Sequence, residues 1–159
     1  MDYNKEMNMD NVEFGNMPPQ AFLLGLLSAL DNRYQAAADA FFKEITWKQF
    51  FAIICINLCR EAPTINELSD VMGSSHQNVK QILLRLEKKG FVSTIVDKKD
   101  KRKQRIIVTD AARTFLEEND NNGQQSQYII GRIFEGIDEK SLMGTIQTIM
   151  KMERNLSEL

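Results

Sequence analysis

Between positions 75 and 85 the chain places Ser75, His76, Gln77, Asn78, Lys80, Gln81 and Arg85, polar side chains suited to reading hydrogen-bonding edges rather than to making covalent bonds. Amide groups pair with adenine edges, and Lys or Arg with guanine or phosphate. Val79, Ile82, Leu83 and Leu86 fall between them at spacings of three and four, so on a helix the apolar set takes one face and the polar set the other. Further on, the stretch DKKDKRK at 97–103 sets Lys98, Lys99, Lys101, Arg102 and Lys103 against Asp97 and Asp100. Each feature alone also reads as a solvated surface. Together, and in this order, they predict a surface built for a polyanion.

The charge distribution agrees. The net charge of the 159 residues is -2, yet residues 1–63 carry 5 basic and 8 acidic groups, residues 64–113 carry 11 and 6, and residues 114–159 carry 4 and 8. A basic middle third inside an acidic chain is not needed for solubility. With 43% apolar and 26% charged residues, the composition is that of an ordinary globular domain. The longest apolar run, Phe50–Ile56, is seven residues, against the roughly 18 needed to cross a bilayer. No membrane span is therefore expected. The polar N-terminus does not read as a secretory signal, and a cytoplasmic protein is expected. Two cysteines and one histidine exclude a disulfide framework and a multi-histidine metal centre, so no metal and no cofactor is predicted.

The elements that must hold these residues are mainly helical. Residues 1–17 lack periodicity and read as a flexible acidic arm. Pro18-Pro19 then opens a helical apolar pattern from Phe22 to Phe42, giving a helix over about 18–43 that is roughly 39 Å long and too long for a small domain to cover alone. Thr46 with Gln49, Thr64 with Glu67, and Ser74 with Gln77 each fit a capping box, marking three closely set helices at about 46–60, 64–72 and 75–89. Gly73 and Gly90 are their natural stops. FVSTIV and QRIIVT read as a hairpin around the basic loop. Thr109-Asp110 starts another helix. The wholly polar stretch 117–127 favours a long bridging helix, with interruption near Gly123 as the alternative. Asp138 caps a final apolar helix.

Helix, short helix, Gly turn, longer helix and basic hairpin is the order of a winged helix-turn-helix. GSSHQNVKQILLRLEKKGFV, followed by DKKDKR and IIVTDAAR, resembles the multiple antibiotic resistance regulator (MarR) family of bacterial winged-helix repressors. The likeness lies in the LE-x-x-G-F-V ending of the recognition helix, the Asp-x-Arg of the wing at Asp100 and Arg102, and Val108, Thr109 and Ala112 at the next helix start. ITWKQFFAI resembles the family's opening at Thr46 and Gln49. It extends over about residues 18–157. Thr94, Lys101 and Ala112 depart from it, standing where arginine, arginine and glycine are common.

The resemblance implies a mainly α fold with a small β-hairpin wing. Residues 18–45 would form a dimerisation helix, 46–113 the winged-helix lobe and 114–159 the C-terminal dimerisation helices. It also implies a homodimer acting as a transcriptional repressor on double-stranded DNA at a pseudo-palindromic operator. Arg102 would enter the minor groove with Asp100 orienting its guanidinium, a role better suited to a planar fork than to Lys. It further implies a pocket for a small aromatic or apolar effector, for which Phe22, Trp47 and Phe51 are candidates, although plain core is the simpler reading of each. Cys55 and Cys59, one helical turn apart, have Cβ atoms about 5–6 Å from each other, too far for a disulfide, and read as core. His76 has no nucleophile or carboxylate partner nearby in sequence, which points away from an enzyme. The remaining rival, a winged helix serving only as a protein-interaction module, would not need a cationic wing.

Overall fold

The computed structural model describes residues 15–40, 44–119 and 124–159. They divide into two compact units, one ending at Ala112 and one beginning at Arg113. The first unit contains α1 (Pro19–Asp39), α2 (Trp47–Leu58), α3 (Ile65–Met72), α4 (His76–Lys88), β1 (Val92–Val96) and β2 (Gln104–Val108). α5 (Asp110–Asn119) carries the division, and α6 (Gln124–Ile133) and α7 (Glu139–Leu156) follow. The fold is the expected one, mainly helical with, among the described residues, one antiparallel hairpin. Among the described residues no helix is long and apolar enough to cross a membrane.

Local chemistry explains the helix boundaries. Thr46 and Thr64 form complete capping boxes with Gln49 and Glu67, each closing two otherwise orphaned N–H groups. The third expected box does not form. Ser75, not Ser74, caps α4, accepting from the Asn78 backbone N–H at 3.3 Å. The cause is the way α3 ends. Gly73 adopts φ +57°, and the N–H groups of Gly73 and Ser74 donate back to the Asp70 and Ser69 carbonyls at 3.2 and 3.0 Å, a Schellman stop that commits the Ser74 backbone to the preceding helix. α4 ends in the same way at Gly90, where Gly90 and Phe91 donate to Glu87 and Leu86 at 2.9 Å each.

The core of the first unit is built where periodicity places it. Val79, Ile82, Leu83 and Leu86 of α4 are buried, as are Ala52, Ile53, Cys55 and Ile56 of α2 and Leu68 of α3. Leu58, at the end of α2, is 73% exposed. In the hairpin Val92 faces Val108 and Thr94 faces Ile106, with Val92, Ile106 and Val108 buried. The Ile106 N–H donates to the Pro63 carbonyl at 2.8 Å, which ties β2 to the segment entering α3. α1 ends at Asp39. The expected extension to 43 runs into residues 41–43, which lie outside the described residues, as do the first fourteen residues of the expected arm and the centre of the polar bridge at 120–123.

In the second unit Asp138 caps α7, accepting from the Ser141 N–H at 3.0 Å. No residue of α7 is buried. Its stripe of Met143, Ile146 and Met150 is exposed, as are Ile130 and Ile133 of α6. On α1, Leu24 and Leu30 are more than half exposed.

Candidate nucleic-acid interface

The Schellman turn at Gly73 and the cap at Ser75 fix how α4 leaves α3, and the buried stripe of α4 fixes its rotation. Ser75, His76, Gln77, Asn78, Lys80, Gln81 and Arg85 are consequently all exposed, presented on one helix by a packed scaffold. The Asn78 side-chain amide donates to the Ser74 hydroxyl at 2.8 Å. This bond uses one of the two N–H donors of the amide and leaves the other, with Oδ1, open.

Beyond Gly90, the wing carries Lys98, Lys99, Lys101, Arg102 and Lys103, all exposed. Asp100 binds Arg102 three times: its carboxylate accepts from the Arg102 backbone N–H at 3.1 Å, from Nε at 3.2 Å and from Nη2 at 3.4 Å. These bonds hold the Asp100 carboxyl below its ordinary pKa. The Arg102 side chain is nonetheless 91% exposed. The guanidinium is thus held by its neighbour and open to solvent at once.

Asp97 does something the charge pattern does not reveal. It is buried, and one oxygen accepts from the backbone N–H groups of Lys99 and Asp100 at 2.7 Å each. The other accepts from Nε of Arg105. Arg105 and these two backbone donors depress the Asp97 carboxyl far below the usual carboxylate range. Arg105 also donates from Nη1 to the Ala62 carbonyl at 2.7 Å and to Glu67 at 3.3 Å.

A cavity of about 350 Å³ lies beside the Gly73 turn and the first turns of α4, where Asn78 and Ile82 line it. Trp47 and Phe51, two of the three expected effector residues, line it. Phe22 is not among the lining residues, while Tyr34, Lys48, Ser74 and Asn78 are. Trp47 is packed edge-on against Tyr34 at 4.6 Å and stacks on Phe51 at 5.9 Å, making one wall flat and aromatic. Burial raises the Tyr34 hydroxyl pKa. Cys55 is buried, and that burial, with Cys59 beside it, raises its thiol pKa, consistent with a core role.

Comparison with known proteins agrees with this geometry. The model of the MarR family matches residues 45–103. A MarR protein from Peptoclostridium difficile is 19% identical, covering 93% of this chain and 95% of that one with a TM-score of 0.76. MepR from S. aureus, solved in complex with DNA, is 16% identical over 89% of this chain and 99% of that one, with a TM-score of 0.72. BpsR from Bordetella bronchiseptica, whose DNA binding is regulated by 6-hydroxynicotinic acid, is 19% identical over 82% and 98%, with a TM-score of 0.67. At these identities the structural likeness carries the fold, a winged helix with flanking helices.

Proposed function

We propose that this chain, which carries a MarR family domain over residues 45–103, is a sequence-specific DNA-binding transcriptional regulator. It acts as a homodimer on a pseudo-palindromic operator, as a repressor released by a small-molecule effector. The observation that carries the reading is the pairing of a rigidly mounted polar helix face with a wing whose Arg102 is oriented by Asp100 and left 91% exposed. α4 has the dimensions to enter a major groove, where base edges are distinguishable. The wing supplies cations to the backbone and Arg102 to the adjacent minor groove. The existence of a DNA complex of MepR supports this use of the same fold.

Uncovered apolar surface supports the dimer. Leu24 and Leu30 on α1, Ile130 and Ile133 on α6, and Met143, Ile146 and Met150 on α7 are all open, and stripes of this kind mark association surfaces. A two-fold dimer presents two α4 helices about one helical turn apart, roughly 10 bp. For the effector, the flat aromatic wall at Trp47, with Lys48 beside it, suits a small aromatic acid, in keeping with the regulation of BpsR.

Light scattering tests the dimer, with a mass of about twice 18.3 kDa expected; a stable monomer at micromolar concentration contradicts it. Sequencing genomic fragments retained by the protein tests the operator, and an inverted repeat is the expected outcome. If about eight phosphates are neutralised, log K falls with log salt at a slope of about -7. A salt-insensitive affinity excludes the DNA reading and leaves the protein-interaction module.

A further inference from the structure

We propose that Arg105 is a positioning residue for the wing: by gripping Asp97 within the loop and Ala62 and Glu67 at the entry to α3, it sets the angle at which Arg102 is offered to DNA. The inference rests on the DNA-binding reading above.

Three observations point to it. First, the loop is wound around Asp97. The Lys99 and Asp100 N–H groups converge on one carboxylate oxygen at 2.7 Å, and the Asp97 N–H donates to the Lys103 carbonyl at 3.0 Å. Moving Asp97 therefore moves Asp100, and Asp100 holds Arg102.

Second, Arg105 connects that loop to the helix-turn-helix. Its Nε goes to Asp97, and its Nη1 reaches Ala62 at 2.7 Å and Glu67 Oε2 at 3.3 Å. The same Glu67 oxygen accepts from the Thr64 N–H at 2.7 Å, closing the box that starts α3. Hydrogen bonds thus run unbroken from wing loop to helix start. Only a planar fork reaches partners on both sides at once; an ammonium is a single point of charge.

Third, Arg105 is not needed to hold β2 in place. The strand is already anchored by the Ile106 N–H bond to Pro63 and by buried Ile106 and Val108. What Arg105 adds is orientation of the loop beyond the strand.

The test uses the full-length chain and a duplex enriched by the unchanged protein from a randomised pool. Arg105→Met, Arg105→Lys and Asp97→Asn are each made alone and with Arg102→Ala, and thermal unfolding is followed in parallel. Arg105→Met is expected to weaken binding about tenfold when Arg102 is present, the size of one lost base or groove contact, and less than twofold when Arg102 is already Ala, because residues acting through one another are not additive. Arg105→Lys recovers part of the loss, since it keeps one partner. Equal losses in the two backgrounds overturn the proposal and make Arg105 a general stabiliser. If Arg105→Met does not fold, Asp97→Asn carries the same comparison. Should the unchanged protein enrich no duplex, the DNA-binding reading falls and this proposal with it; enrichment without coupling overturns this proposal alone.

Discussion

Asp100→Asn separates orientation from charge at the wing. The carboxylate holds Arg102 through the backbone N–H at 3.1 Å, Nε at 3.2 Å and Nη2 at 3.4 Å, while the Arg102 side chain is 91% exposed. So open an ion pair adds only about 0–1 kcal/mol to folding, and the variant should melt close to the parent. On DNA two effects oppose one another. Removing an acidic group from each wing strengthens attraction to every duplex alike. Releasing Arg102 means that it must be immobilised during binding, at about 0.5–1.5 kcal/mol per side chain. With two wings in the proposed dimer this doubles to about 1–3 kcal/mol, but only on duplexes with a narrow A/T-rich minor groove, where the proposal has the guanidinium insert. The ratio of affinities for an A/T-flanked operator and a scrambled duplex should therefore fall about 5- to 150-fold, even as scrambled DNA is bound more tightly. Fluorescence anisotropy with both duplexes at one salt concentration measures the ratio. If Asp100→Asn changes both affinities by the same factor, Asp100 does not aim Arg102.

The remaining predictions concern the helix, the turn and the acid response. Asn78→Ala and Gln81→Ala should each cost about 1–3 kcal/mol at particular base positions, whereas Lys98→Ala and Lys103→Ala should weaken all sequences and lower the salt slope by about 1 per lost phosphate contact, as read by titrating cognate and scrambled duplexes across salt. Gly73→Ala should cost about 1–2 kcal/mol in urea unfolding, because φ is +57° and the added Cβ meets nothing within 4 Å, leaving backbone strain as the sole penalty. The depressed Asp97 pKa means that the folded chain binds fewer protons than the unfolded one in acid. Its contribution is complete above the unfolded value near 4 and is lost as pH falls through and below it. Asp97→Asn should accordingly be less stable than the parent at pH 7 and nearer to it at pH 3; an equal gap at both refutes the assignment.

What the sequence disclosed is what depends on neighbours three or four residues apart. The boxes at Thr46 and Thr64, the buried Val79, Ile82, Leu83 and Leu86, and the stops at Gly73 and Gly90 are local, and the helical period makes them legible. The one-residue error at Ser74 is instructive because both serines can cap. Only the preceding helix decides between them, by using the Ser74 N–H for its own Schellman closure at 3.0 Å. The exposed face of α4 needed no further information, since burial of one stripe dictates the other. The cavity was half legible: Trp47 and Phe51 line it, but Tyr34 arrives there through the packing of α1 on α2, which no short pattern encodes.

The wing shows why charge counting falls short. Five cations and two carboxylates in 97–103 look like a solvated loop with partial neutralisation. Five like charges on a flexible loop would repel and splay, and a splayed loop cannot insert one chosen guanidinium into a groove. The structure assigns each carboxylate a separate mechanical task instead. Asp97 is withdrawn from solvent to collect two backbone N–H groups and Arg105, and Asp100 is left outside to hold Arg102. Arg105, which belongs to β2 and not to the loop, is the cation committed to structure, through partners as far away in sequence as Ala62. Because that partnership spans 43 residues, it becomes visible only after β2 has been laid beside Pro63. The cations of the loop itself remain exposed, and it is the acidic residues between them that turn a charge run into a directed surface.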